Sequence, residues 1–174
     1  MQSKQRQNGL TMIELMVVVT IAAILAGIAA PSFSNLINST RQTSTMTQLT
    51  GDLSRARSEA IKRNRRVLVC VRGTDTSCGA GTNWQNGWLV CYDEDQNGAC
   101  DIAPADGSNP NPIVVHPAIN SRLTLTGNAA TIYYNPSGTQ GAGGAATLTL
   151  AGNWAGAITN TATIAATGNL SRTP

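Results

Sequence analysis

Histidine is nearly missing from this 174-residue chain, and aromatic side chains and charge are scarce. His116 is the single histidine, phenylalanine occurs once, aromatics make up 4% and charged residues 12%. General acid–base catalysis needs titratable groups gathered around one reacting atom. Here the acids crowd into one stretch, and His116 sits in a β-like run beside Pro117, with no nucleophile–base set at meaningful spacing. The pattern argues against an enzyme, and no cofactor is implied. No Cys-x-x-Cys pair occurs, which argues against a zinc ribbon. Ala, Gly, Thr and Asn fill the gap, the texture of an extracytoplasmic β-rich protein with many turns. The length suits one domain plus an appendage.

Charge of one sign is missing from long stretches. Residues 73–121 contain no Lys or Arg but hold Asp75, Asp93, Glu94, Asp95, Asp101 and Asp106. Residues 41–72 hold Arg41, Arg55, Arg57, Lys62, Arg63, Arg65, Arg66 and Arg72 against only Asp52 and Glu59. A basic run followed by an acidic one suggests complementary surfaces suited to packing against a neighbouring subunit.

Four cysteines, Cys70, Cys78, Cys91 and Cys100, fall close together. An even count behind an export-type N-terminus reads as two disulfides. Three connectivities are open. If the strands carrying Cys70 and Cys91 pair, 70–91 with 78–100 is the simplest.

Acid is also missing from the N-terminal residues 1–9, which are polar and basic. Residues 10–30 are then apolar except for Glu14 and two threonines. At ~1.5 Å per residue such a helix spans about 30 Å, one bilayer core. The basic flank keeps its N-terminal end cytoplasmic. A secretory signal would have a shorter apolar run with its cleavage site behind it; here the polar-to-apolar break lies between Gly9 and Leu10, ahead of the run. Glu14 violates the membrane logic, since a carboxylate in hydrocarbon costs about 2.5 kcal/mol or more and needs a partner or a neutral state. A cut after Gly9 would give Leu10 a new α-amino group. The Glu14 of one subunit could then meet the amine of the next, rewarding insertion in register.

The segment Gly9-Leu10-Thr11-Met12-Ile13-Glu14-Leu15 resembles the prepilin motif of type IV pilins and type II secretion pseudopilins. The resemblance implies that a membrane prepilin peptidase cleaves after Gly9, that Leu10 is then N-methylated, that Glu14 is the assembly glutamate, and that the apolar helix becomes the filament core. The family most often has Phe where this chain has Leu10. Implied partners are other pilins and minor pilins, the peptidase, an inner-membrane assembly platform and the lipid bilayer.

Beyond the apolar run, Pro31 is expected to kink the helix. Phe33, Leu36, Ile37, Met46, Leu49, Leu53, Ala56 and Ala60 recur largely at i+3/i+4 spacing. One helix over about 10–65 follows, amphipathic over 31–66. The period then becomes two. Strands are predicted at 67–72, 87–92, 113–116, 123–126, 130–134, 146–150 and 162–167, with the loop 73–86 closing the first hairpin and a mobile, low-complexity loop at 137–146. The expected fold is α+β: a leader at 1–9, a membrane or filament-core helix at 10–30, its amphipathic continuation, and a periplasmic head at 67–174 in which the helix packs on an antiparallel sheet or small sandwich.

The phrase from Leu53 to Asn64, then Val67-Leu68-Val69-Cys70, then Trp84, Gly87-Trp88-Leu89-Val90 and Asp93, is similar to the FimT/FimU/GspH branch of minor pilins. Within that branch, residues 56–64 are closer to the type IV pilus members FimT and FimU than to GspH. The resemblance implies a minor pilin that helps prime or assemble a type IV pilus near its tip. Two alternatives stay open: a FimT-type DNA-binding pilin for natural transformation, and a GspH-like pseudopilin of a type II secretion system. FimT-like pilins are implied to bind DNA through a C-terminal Gly-Arg-x-Arg loop. Here Asn169 and Ser171 replace its arginines, with Arg172 one step on. Arg172, Arg122, Arg63 and Arg66 are the candidate DNA contacts, the helix arginines having the alternative role of a polar face against neighbouring subunits. Trp84, Trp88 and Tyr92 sit where a strand core wants them rather than on a stacking platform. The stretch Asp93-x-Asp95-x-Asn97-Gly98 imitates the start of a calcium loop. Its twelfth position is Pro104, so a solvated turn explains it more simply.

Overall fold

The computed structural model describes residues 11–101, 112–141 and 144–174, with 29–31 described by backbone alone. The chain divides into two compact units, Met1–Ile37 and Asn38–Pro174. Helix α1 (Met12–Arg63) runs through both. The helix continues across Pro31.

The helix ends where Asn64 adopts a left-handed conformation (φ 53°). The Arg65 N–H then donates to the Ala60 carbonyl at 3.2 Å and the Asn64 N–H to Ile61 at 3.4 Å. These two bonds make a Schellman cap, with asparagine tolerating the position that usually takes glycine. Lys62 and Arg63 in the last turn complement the helix dipole.

Among the described residues eight strands follow: β1 (Val67–Val71), β2 (Trp88–Tyr92), β3 (Val114–His116), β4 (Leu123–Gly127), β5 (Thr131–Tyr134), β6 (Ala146–Gly152), β7 (Asn160–Ile164) and β8 (Leu170–Thr173). They form two four-stranded antiparallel sheets, ordered β3-β2-β1-β5 and β4-β6-β7-β8. In the second sheet, strands alternate buried and partly exposed residues, as one covered face requires. Every residue of β1 and β2 is buried, so both faces of the first sheet's centre are covered.

Its inner face contributes Val67, Val69, Val71, Trp88, Val90 and Tyr92 to a core shared with Met46, Leu49, Leu53, Ala56 and Ala60 of α1 and with Leu125, Leu148 and Leu150 of the second sheet. Leu53 is fully buried there; truncating such a leucine to alanine costs about 2–5 kcal/mol. The outer face carries Leu68, Cys70, Leu89 and Cys91, also fully buried. No helix or strand covers them among the described residues. Two loops do, each held by a disulfide.

The disulfides are Cys70–Cys78 (Cα–Cα 5.6 Å) and Cys91–Cys100 (5.5 Å). The 70–91 pairing expected from adjacent strands does not form, although β1 and β2 do pair. Their register sets Cys70 opposite Leu89 and Cys91 opposite Leu68. The two cysteines are diagonal neighbours, roughly 7–8 Å apart by Cα, outside the usual disulfide span of about 4.4–6.8 Å. Each therefore reaches into its own following loop, and Cys78 Sγ lies 3.6 Å from Cys100 Sγ.

Two further expectations change. An eighth strand, β8, appears where no strand was predicted, and β7 starts earlier than predicted. Within the described part of the 137–146 loop, Gln140 is buried, bridges Tyr134, and donates its N–H to the Ala166 carbonyl at 3.0 Å, linking the two sheets.

Replacing Cys91 and Cys100 together by serine is expected to cost about 2–3 kcal/mol. Urea unfolding of the full chain in detergent measures it, and peptide mapping without reductant should recover 70–78 and 91–100 links.

Candidate functional site

Gly9 and Leu10 lie outside the described residues. The first described residue, Thr11, caps α1: its Oγ1 accepts the Glu14 N–H at 3.3 Å. Thr-x-x-Glu with threonine at the cap is the arrangement of a capping box, and a carboxylate in the first turn suits the helix dipole. The sequence reading did not use this signal. Beyond Glu14, Met16, Val19, Ile24, Ile28, Phe33 and Leu36 are each more than half exposed within the subunit. The stretch is long and apolar enough to cross a membrane.

In the head, part of the basic run meets the acidic run. Arg63 Nε pairs with Glu59 at 3.1 Å, Arg65 with Glu94, Arg66 with Asp93 at 2.7 Å, and Arg72 with Asp75 at 3.1 Å. Four of the eight Lys/Arg of residues 41–72 are thus paired inside the subunit, which lessens the complementary charge expected to meet a neighbour. Arg66 also lies over the Tyr133 ring, 4.0 Å from its centroid. Glu59 additionally accepts from the Tyr92 hydroxyl at 3.0 Å. Burial pushes its carboxyl up, but the bonds from Arg63 and Tyr92 outweigh that and hold it below the ordinary glutamate value.

The candidate DNA contacts do not converge. Arg63 and Arg66 are in these ion pairs. Arg122 is exposed just before β4. Arg172 lies in β8 and donates to Asn160 Oδ1 at 3.2 Å. Strands β4 and β8 are opposite edges of one sheet, three strand spacings or about 14 Å apart, so Arg122 does not join Arg172. The turn before Arg172 is itself occupied. Arg57, which the sequence reading gave no separate role, donates to the carbonyls of Gly138 (2.9 Å) and Thr167 (3.2 Å) and to Asn169 Oδ1 (3.2 Å). Gln42 was also missed. It is buried in the helix stripe and donates to Leu150 O and Ile158 O at 3.1 and 2.6 Å. Its sequence signal was a polar residue one turn ahead of Met46 on the core stripe.

The remaining candidates have structural partners. His116 stacks on Trp88 at 3.7 Å and contacts Gln48 Oε1 and Pro117 O, both at 2.8 Å. Trp84, Trp88 and Tyr92 are buried. Asp93, Asp95 and Asp101 bring oxygens within 4.8 Å of one another. Asp93 is already paired to Arg66, Asp95 accepts from Asn97, and Asn97 Oδ1 accepts the Ala99 N–H at 2.7 Å. Asp101 Oδ2 accepts the Glu94 N–H, so each of the three carboxylates has a partner within the turn or on α1's C-terminal side.

Asp93 is fully buried, and burial pushes its carboxyl up, with Arg66 and the Gly98 N–H pulling down without cancelling it. A raised carboxyl in the fold contributes stability at acid pH that is lost as pH rises through its range. Arg66→Ala removes the downward pull and leaves a buried carboxylate unpaired. It is expected to cost about 3–5 kcal/mol at neutral pH and less in acid, because the raised carboxyl of Asp93 takes up a proton more readily there; urea unfolding at neutral and at acid pH tests this, and an equal loss at each would contradict it.

Residues 45–168 match the family model described as type II transport protein GspH, and residues 4–30 match the prokaryotic N-terminal methylation motif. The chain is 30% identical over 139 residues to the type IV major fimbrial protein FimA of Dichelobacter nodosus, covering 78% of this chain and 88% of that one. Its fold is similar to the type IV minor pilin FimU of Pseudomonas aeruginosa in two crystal forms. In the first the TM-score is 0.57 at 18% identity, over 78% of this chain and 90% of that one. In the second it is 0.54 at 19%, over 76% and 92%. Pilins and pseudopilins are structural, non-enzymatic proteins that interact with other pilins and are processed by prepilin peptidase, and the apolar N-terminal helix marks a membrane-anchored member. The matched motif and the length of the GspH match make this chain a member of the GspH family of pilins and pseudopilins.

Proposed function

We propose that the chain is a minor pilin of a type IV pilus that helps start or assemble the filament, near its tip. The observation carrying this reading is the row of large apolar side chains between Met12 and Ile37, exposed among the described residues, with Glu14 near its start. Lipid satisfies it before assembly and neighbouring helices satisfy it afterwards. In this reading prepilin peptidase cuts between Gly9 and Leu10, Leu10 is methylated, and Glu14 pairs with the amine of an adjacent subunit. Residues 10–30 span the inner membrane with the head in the periplasm, Pro31 allows a bend, and the assembly platform extracts the subunit. Packing relieves the buried carboxylate, which lowers the barrier to starting a filament.

Closeness of residues 56–64 to FimT and FimU favours the pilus over a type II secretion pseudopilus. Deletion should remove surface pili. Loss of exoprotein secretion instead would point to the pseudopilus, and loss of transformation with pili retained would point to DNA uptake. Gly9→Arg should leave the leader attached, read by intact mass. Glu14→Gln should be cleaved and methylated normally, yet reduce assembled filaments about tenfold or more, because a paired charge in a low-dielectric core is worth upwards of 1.4 kcal/mol. Normal piliation of the Glu14 variant would refute the assembly role.

A further inference from the structure

The two disulfides touch each other. All four cysteine sulfurs lie within 4.8 Å of one another, and Cys78 Sγ stands 3.6 Å from Cys100 Sγ across the gap between the bonds. The cysteines also divide by exposure. Cys70 and Cys91, on the central strands, are completely buried. Cys78 and Cys100, on the covering loops, are half-buried. A thiol reductant arriving from solvent therefore meets the loop cysteines first.

What happens next depends on whether a loop stays in place once its bond opens. Backbone hydrogen bonds hold both loops without help from sulfur. Around Cys78, the Gly79 N–H donates to Val71 O at 2.7 Å and the Gly73 N–H to Ser77 O at 3.0 Å, and Arg72 forms an antiparallel bridge with Cys78. Around Cys100, the Asp101 N–H donates to Tyr92 O at 3.0 Å, and Asp101 Oδ2 accepts the Glu94 N–H. A sulfur released at 78 or 100 thus stays beside the intact bond of the other loop.

We propose that the four cysteines form an exchange relay, in which opening either disulfide moves the remaining bond to Cys78–Cys100. When a dithiol opens Cys91–Cys100, the Cys100 thiolate attacks Cys78 Sγ. A Cys78–Cys100 bond forms, the Cys70–Cys78 bond breaks, and the electron pair leaves on Cys70 Sγ, which takes the proton that Cys100 gave up. When Cys70–Cys78 opens first, the Cys78 thiolate attacks Cys100 Sγ and Cys91 leaves in the same way. On either route the dithiol supplies two electrons and two protons and ends as its own disulfide.

Both routes converge on one state, with a bond between the loops and thiols at Cys70 and Cys91. A free cysteine behaves as a small hydrophobe and suits those buried strand positions. The two thiols are diagonal neighbours in the β1–β2 register and do not pair in turn. The Cys78–Cys100 bond spans a sequence separation of 22, against 8 and 9 for the native bonds, so it restricts the unfolded chain more than either. The consequence is a redox-sensitive lid. One two-electron reduction removes both sulfur straps from the sheet and leaves the loops over Leu68 and Leu89 tied by sulfur only to each other. This goes beyond the filament reading and does not rest on it.

Cys91→Ala imitates the opened state without any reductant, since it leaves a Cys100 thiol beside Cys70–Cys78. Peptide mapping of the full chain in detergent is expected to find a 78–100 link with the free thiol at Cys70. Cys70→Ala is expected to show the same link with the free thiol at Cys91. Maleimide labelling of folded Cys91→Ala should be about tenfold slower than labelling in urea, because the remaining thiol is buried. Wild-type chain given one equivalent of dithiothreitol and quenched in acid should carry its labels on Cys70 and Cys91 in the singly reduced fraction. A 70–78 link in Cys91→Ala, with a label or an intermolecular bond at Cys100, would overturn the relay, as would a 91–100 link in Cys70→Ala. Should either variant lose cooperative unfolding in urea, the wild-type titration decides. Labels there on Cys91 and Cys100, labels on Cys70 and Cys78, or loss of both bonds with no singly reduced chain would each sink the proposal.

Discussion

The head is organised by the need to cover one side of α1. Met46, Leu49, Leu53, Ala56 and Ala60 lie on a single helical stripe and are completely buried. A lone amphipathic helix gains most of its stability from packing that stripe, and two sheets supply the cover. Alanines at the C-terminal end of the stripe leave room for large partners, and Tyr92 and Tyr134 occupy the core there. A row of acceptors flanks the stripe one or two turns apart. Gln48 meets His116, Asp52 takes the Trp88 indole N–H, and Glu59 takes the Tyr92 hydroxyl. Apolar burial holds the helix against the sheet, and these polar contacts fix its rotation and register.

A second constraint follows. With α1 on the inner face, the outer face of the first sheet still has to bury Leu68 and Leu89. Loops make poor lids, because ordering each residue costs about 1–2 kcal/mol. The disulfides reduce that cost by tethering each loop a few residues from where it leaves its strand. The same loops carry the acids that cancel Arg65, Arg66 and Arg72. Covering the sheet and neutralising part of the basic run are thus one structural solution.

Elements with a strong periodic signal were legible in the sequence. The helix, the β-branched strands β1 and β2, and the membrane-length apolar run each announce themselves through side-chain spacing. The disulfide pairing was not legible, since it turns on a two-residue offset in register that spacing alone does not encode. Strand β8, with the sequence Leu170-Ser171-Arg172-Thr173, was missed because it is a polar edge with a single apolar residue, held by its pairing to β7. The roles of Gln42 and Arg57 were hidden for a related reason. Their partners are backbone carbonyls roughly 80 to 116 residues away, and a carbonyl carries no sequence signature.

Arg57 bears directly on the nucleic-acid reading of the C-terminal turn. Gly168 is left-handed (φ 80°), and a side chain there would run into the Gly138 carbonyl and crowd Arg57. The turn is closed by the Gly168 N–H on Ala165 and the Ala165 N–H on Asn169, at 2.8 and 2.9 Å. Asn169 directs its amide oxygen to Arg57. An arginine at 169 would place a second guanidinium beside the first, and the mutual repulsion would drive one of them into solvent. With asparagine, the turn is drawn onto the helix and its charge is spent internally. Binding phosphate there would require Arg57 to abandon three acceptors, so in this chain the turn serves to lock the second sheet to the helix.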